Sequence, residues 1–170
     1  LGKYNSYYYV ITVLFGFLQV IINSLLAGIG NSNATEKVEK NYTDFKRLNF
    51  MQSWLVCFCT VCLICLYQNF IYLWIGEENM FDFIVVILLG IYFYVWKMMD
   101  IINLYKDAAG MWELDKYRPI VASIVNLILN FVLVQYIGIY GIILSTIIAI
   151  LLIIFPWSSF ILFSKYFKKG

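Results

Sequence analysis

Five long apolar stretches constrain this chain more than any motif in it. They cover about residues 7–29, 53–75, 81–103, 120–136 and 140–163. A helix needs roughly 20 apolar residues to cross the hydrocarbon of a bilayer, and each stretch is near that length, the fourth being the shortest. In hydrocarbon every backbone polar group has to be satisfied within the segment or by a closed barrel. Barrel strands are short and alternate apolar with polar residues. These runs are long and apolar on all sides, so the pattern predicts an all-α membrane bundle of about five transmembrane helices, with residues 1–170 as a single membrane domain.

Composition agrees. Hydrophobic residues make up 63% of the 170 residues, charged residues only 13%, and mean hydropathy is +0.83. A soluble domain is nearer half apolar and a quarter charged. Histidine is absent, which removes the commonest general base and metal ligand. No Gly-rich phosphate loop or Ser/Cys–His pair occurs, so the chain reads as a protein that is not an enzyme, with no cofactor. Four cysteines sit together at Cys57, Cys59, Cys62 and Cys65. A structural zinc needs four converging ligands. At this spacing on one helix the four cannot meet one ion, so they read as polarizable packing residues.

The connections carry the charge. Residues 31–50 and 106–119 are polar and charged, Gly76-Glu-Glu-Asn79 is short and acidic, and Ile137-Gly-Ile139 is long enough only for a tight helical hairpin. With alternating crossings, Lys37, Lys40, Lys46, Arg47, Lys97, Lys106, Lys116, Arg118, Lys165, Lys168 and Lys169 fall on one side. Lys3 alone falls on the other, an 11-to-1 division of the 12 Lys and Arg. Loops rich in Lys and Arg stay in the cytoplasm, which predicts an outside N-terminus and a cytoplasmic C-terminus. Within the first charged stretch, Asn33 and Glu36 have capping-box spacing and predict a short interfacial helix over residues 34–48. Asn33-Ala-Thr35 and Asn41-Tyr-Thr43 fit the glycosylation pattern, but this topology puts them on the cytoplasmic side, where the pattern has no meaning. Trp54, Trp74 and Trp112 fall near predicted membrane boundaries, as an aromatic belt requires.

Polar residues within a span face protein or water, because lipid offers them no partner. Gln19 and Asn23 share a helix face, as do Asn126 and Asn130, with Ser123 close to the latter. Such pairs either hold helices together or line a substrate path. Lys97 and Asp100, three residues apart, are the opposite charges that fall within a predicted span. One reading pairs them on a cavity-facing surface. The other has the span end near Trp96 and Lys97 reach the cytoplasmic surface along its aliphatic stem. Lys97, Asp100, Asn126 and Asn130 are therefore the substrate-pathway candidates. Gly141 and Ser145 form a small-xxx-small step suited to close helix contact, and Pro156 should distort the last helix.

Several segments, in order, resemble a known family. They are Ala27-Gly-Ile-Gly30-Asn31, Ala34-Thr-Glu36-Lys37, Phe45-Lys-Arg47-Leu-Asn-Phe50, Phe70-Ile-Tyr-Leu-Trp74-Ile-Gly76, Ala108-Ala-Gly110-Met-Trp-Glu-Leu-Asp115-Lys-Tyr-Arg118-Pro119-Ile, Asn126-Leu, Gly138-Ile-Tyr-Gly141-Ile and Ser145-Thr-Ile-Ile. Together they resemble the Wzx-type O-antigen and capsule flippases of the multidrug/oligosaccharidyl-lipid/polysaccharide superfamily. The resemblance implies two six-helix lobes around a central cavity, moving an undecaprenyl-pyrophosphate-linked oligosaccharide to the outer leaflet by alternating access. The present chain would then be the last five helices of the MATE-like twelve-helix fold, the C-terminal part of a longer transporter in the bacterial plasma membrane. The implied partners are the lipid-linked oligosaccharide, membrane lipids and the N-terminal lobe of the parent chain, with no nucleic acid. Asp115, Lys116, Arg118 and Pro119 match a family loop and read as a cytoplasmic helix-entry element. In the implied cavity Lys97 is the basic residue of the right type to meet a pyrophosphate.

Two other functions compete. A membrane-bound polysaccharide polymerase or transferase needs a long outward loop with His, Arg or Asp, and both outward loops here are tiny. A multidrug or other exporter of the same superfamily would tend to carry an acidic residue deep in a span, and none is seen here.

Overall fold

In the computed structural model, residues 2–168 are described and form an all-α helical bundle with five helices long and apolar enough to span a membrane. The helices are α1 (Gly2–Thr35), α2 (Val38–Ile75), α3 (Phe83–Ala108), α4 (Trp112–Ile137) and α5 (Ile139–Tyr166). All five expected spans are present. The protein is a multi-pass, membrane-embedded bundle: side chains such as Leu73, Phe131 and Tyr136 turn large apolar surfaces outward, which only lipid solvates without penalty. Lys169, counted above among the basic residues of one side, lies outside the described residues.

Contacts between the helices show that the crossings alternate. At one end, Lys3 donates to the Glu78 carbonyl and Tyr140 donates to Asp82 (2.7 Å). These bonds gather the start of α1, the α2–α3 connection and the α4–α5 turn. At the other end, Tyr166 near the end of α5 donates to Asn33 (2.7 Å) and accepts from Asn41 (2.9 Å), which lie on either side of the α1–α2 turn. Phe45 of α2 packs edge-on against Tyr105 of α3 at 5.2 Å, so the α3–α4 turn belongs to this second end. It is the end that carries the basic clusters.

The polar stretch 31–50 differs from expectation. There is no separate interfacial helix over residues 34–48. Instead α1 runs to Thr35, the chain turns at Glu36 and Lys37, and α2 continues for 38 residues. At 1.5 Å rise per residue α2 is about 57 Å long, well beyond the roughly 30 Å hydrocarbon core, so its charged first turns project as a continuation of the spanning helix. The expected capping box is absent as well. Lys37 occupies the cap position without a side-chain cap bond, while Asn33 lies inside α1 and its Oδ1 is taken by Tyr166.

α3 and α5 depart from regular α-helical geometry at identifiable points. In α3 the backbone breaks at Met99, between segments Phe83–Met98 and Asp100–Ala108. Here the Gln52 amide of α2 reaches the Lys97 carbonyl (3.4 Å), a side chain inserted into the helical ladder. In α5 the distortion expected at Pro156 takes the form of a widened turn over Ile150–Ile154, with the Phe155 N–H bonding the Ile150 carbonyl. Proline lacks an N–H and its ring crowds the carbonyl four residues back, and the wider turn accommodates both.

The expected close contact at Gly141 is real. A Cβ there would lie 2.6 Å from the Leu133 carbonyl carbon, so α4 and α5 touch backbone to backbone. The hairpin between them turns on Gly138 at φ 55, a conformation open to glycine and costly for other residues.

Candidate functional site

The polar chemistry concentrates on the α1-facing and α4-facing sides of α3. Lys97 donates to Asp100 at 2.8 Å and to Gln19 of α1 at 3.2 Å, and its ammonium lies 5.2 Å from the centre of the Phe15 ring. Its side chain is 1% exposed and that of Asp100 8%. The reading in which Lys97 snorkels to the surface therefore fails. The helix does not end at Trp96, and its i,i+3 geometry sets both charges on a face packed against α1. Asp100 is thus an acidic residue buried within a span, which corrects the expectation that none lies there.

About two and a half turns beyond Lys97, Lys106 repeats the arrangement. Its side chain is 2% exposed, and the ammonium donates to Asp115, to Asn103 (3.3 Å) and to Ser158 of α5 (3.5 Å). Asp115 uses its other oxygen to accept from Arg118 Nε at 2.7 Å. Two cations from α3 and α4 thus share one carboxylate. The chain creates this by ending the helical turn Trp112–Asp115 just before the long segment Arg118–Ile137. Gly110, at φ 67, makes the preceding turn. Asp115 and Arg118 were expected in a helix-entry element. They do sit at the entry of α4, but they also close over a buried lysine.

These groups border two adjoining clefts. One, of about 340 Å³, lies between α1, α3 and α4 and is lined by Gln19, Asn23, Asp100, Lys106, Asp107 and Asp115 among others. The second, of about 560 Å³, lies between α3, α4 and α5. Its walls include Met99, Ala122, Leu127 and Ile150, and its polar lining is Ser123, Asn126, Asn130 and Thr146. Trp96, Asn103 and Arg118 border both. A polar cleft therefore adjoins a larger one with mostly apolar walls.

The four candidate residues fall in two groups. Lys97 and Asp100 form the ion pair; Asp100 faces the first cleft and Lys97 lies behind it, lining neither. Asn126 and Asn130 line the second cleft. Asn130 donates to Asn126 at 2.9 Å, Asn126 donates to Thr146 of α5 at 3.2 Å, and the Asn130 side-chain oxygen is buried without a partner. A buried acceptor left free is uncommon in a finished core. Gln19 donates to Asn23 at 3.0 Å, and Gln19 also supports Lys97, so that pair does fasten helices.

Sequence reasoning missed Lys106 and Asn103. Their i,i+3 spacing was a signal, but residues 106–119 read as a loop. Among the described residues no group of three or more His, Cys, Asp or Glu is placed to hold a metal ion. All four cysteines are free, with Cys57 and Cys65 exposed on the outer face of α2. Compared with known proteins, the chain matches no family model, no curated protein and no solved structure.

Proposed function

We propose that this chain belongs to a transporter of the bacterial plasma membrane that moves an anionic, lipid-linked oligosaccharide to the outer leaflet. The observation that carries the reading is the paired cleft. An ionic cleft at the basic end of the bundle adjoins, across Trp96, Asn103 and Arg118, a gap with mostly apolar walls between α3, α4 and α5. A lipid carrying a charged head group has that same division of polarity. Arg118 borders both compartments and is the residue best placed to meet an anionic head, with Lys106 beside it, whereas Lys97 supports the wall through Asp100. The resemblance to Wzx-type flippases described above points the same way. The partners are then the lipid-linked oligosaccharide, the surrounding lipids and a second lobe against which this one rocks.

The orientation follows from the basic end, which belongs in the cytoplasm. A cysteine at exposed Glu78 should label from outside intact cells and one at exposed Lys40 should not. Asn41 is unsuited to this test because it is 1% exposed and hydrogen-bonded. The reverse pattern would refute the orientation. For function, Arg118→Gln should lower surface polysaccharide about tenfold at unchanged protein level, the size expected for one charge-assisted contact. Arg118→Lys should keep part of the activity. Normal polysaccharide in Arg118→Gln would sink the reading.

Asp100 favours a second reading, an exporter of cationic compounds, because it places a buried carboxylate on the cleft wall. Energy-dependent efflux of ethidium that Asp100→Asn abolishes, with surface polysaccharide unaffected, would select that alternative.

A further inference from the structure

Arg118 is an unusual cation for a membrane bundle. Its side chain is 17% exposed and it borders both clefts. Yet among the described residues only its Nε has an acceptor, Asp115 at 2.7 Å. Among the described residues the two terminal amino groups of the guanidinium have no acceptor. Guanidinium is suited to forked contact with phosphate oxygens, and here the outer prongs of the fork are vacant. Beside it, the Lys106 ammonium is 2% exposed and is held by the second oxygen of the same carboxylate.

Asp115 thus bridges two cations as a phosphate oxygen pair would. Among the described residues its side chain is held by those two cations alone. It ends the four-residue turn Trp112–Asp115, which hangs between Gly110 at φ 67 and the start of the long segment of α4. Trp112, the first residue of the turn, is 66% exposed. The remaining charges facing the cleft are Asp100, which Lys97 holds, and Asp107. With Asp115 in place the carboxylates Asp100, Asp107 and Asp115 offset Lys97, Lys106 and Arg118, so an incoming anion meets no net attraction. With Asp115 withdrawn, one positive charge is uncovered.

We propose that Lys106 and Arg118 form a diphosphate-binding site that Asp115 occupies at rest, and that an anionic head group binds by displacing the Asp115 carboxylate. The step is an exchange of ion pairs: no covalent bond forms or breaks, and the released carboxylate moves with its turn toward water. This rests on the transport reading above, and it names the head-group site and what guards it. Through this exchange, loading would unlatch α3 from the start of α4.

The test uses the purified protein in nanodiscs, with farnesyl diphosphate, farnesol and inorganic pyrophosphate as probes. Asp115→Asn keeps the shape and removes the competing charge. It should bind farnesyl diphosphate about tenfold tighter than the unsubstituted protein, the size of one charge-assisted contact. Lys106→Gln/Arg118→Gln should bind neither phosphate probe, and farnesol should bind every form weakly. If the unsubstituted protein binds farnesyl diphosphate and Asp115→Asn binds it no tighter, the displacement idea fails while the transport reading stands. If neither binds it, both fall. If pyrophosphate alone binds Asp115→Asn as tightly as farnesyl diphosphate does, the site stands but serves a free phosphate species, and the lipid-linked reading falls. A measurement on the unsubstituted protein guards against misfolding of the variant. Farnesyl diphosphate should speed hydrogen exchange over residues 111–117, where simple binding would slow it. Slower or unchanged exchange there would overturn the displacement.

Discussion

α3 and α4 are nearly equally apolar, yet over its most apolar stretch more than half of α3 is buried and almost none of α4. α3 is packed between α1, α2 and α5 and carries Lys97, Asp100 and Lys106 inward. α4 leans on α5 and otherwise forms the outer wall of the clefts. Hydropathy reports that a helix belongs in the membrane. It does not report whether the helix meets lipid or protein, because the transfer energy of a leucine is nearly the same in either. The information lies in the polar residues, whose partners have to be found within the bundle.

The sharpest way to break this contrast is to remove one member of a buried ion pair in α3. Lys97→Leu leaves Asp100 uncompensated and should destabilise the protein by about 3–5 kcal/mol, whereas Lys97→Leu/Asp100→Leu should recover most of that loss. Thermal unfolding in detergent reads both. A fully exposed Lys97 would give no loss in either variant. The same comparison in apolar terms sets Phe93 against Phe131. Phe93 is 0% exposed in α3 and Phe131 is 72% exposed on α4. Phe93→Ala should cost about 3–5 kcal/mol and Phe131→Ala within about 0.5 kcal/mol. Equal costs would mean that the outer face of α4 is covered by protein.

Smaller effects refine the picture. Gly141→Ala pushes a methyl group into the α4 backbone at Leu133 and should cost about 1–3 kcal/mol, seen as a lower unfolding temperature. No change would show that α4 and α5 separate readily. At the opposite end, the Tyr7 hydroxyl donates to Gln68 (2.9 Å) and accepts from the Phe81 backbone (3.0 Å). Tyr7→Phe should cost about 1 kcal/mol, because both neighbours lose a partner. No loss would mean that water replaces the hydroxyl there.

Much of the fold was legible because one-dimensional signals carry it. Five apolar runs mark the spans, Gly138 marks the α4–α5 turn, Pro156 marks the wide turn in α5, and Gly141 with Ser145 marks a close helix contact. The charged stretch 31–50 was misread for a physical reason. Polar composition and an Asn-to-Glu spacing signal a helix start, but they do not say whether that helix ends at the membrane surface or enters it. In the structure it enters, and the spanning helix α2 begins at Val38. The site was only half legible. The pairing of Lys97 with Asp100 and of Asn126 with Asn130 follows from helix periodicity alone. The bridge from Lys106 through Asp115 to Arg118 depends on how the α3–α4 turn folds back, a tertiary fact with no local pattern. Lys106 is therefore the instructive case: a lysine near the end of a span, in a stretch that reads as loop, and yet 2% exposed.

The claim on which the rest depends is that α4 has two unlike faces, one toward the clefts and one toward lipid. Cysteine accessibility tests it directly. With Cys57, Cys59, Cys62 and Cys65 replaced by serine, single cysteines are placed at Ser123, on the cleft side, and at Phe131, on the outer side. Each is then exposed to a charged, membrane-impermeant thiosulfonate in nanodiscs. The account predicts rapid modification at position 123 and none at position 131. Equal protection at both positions would mean that the cleft is closed to water, and equal reaction at both would mean that α4 does not lie against lipid; either result contradicts it.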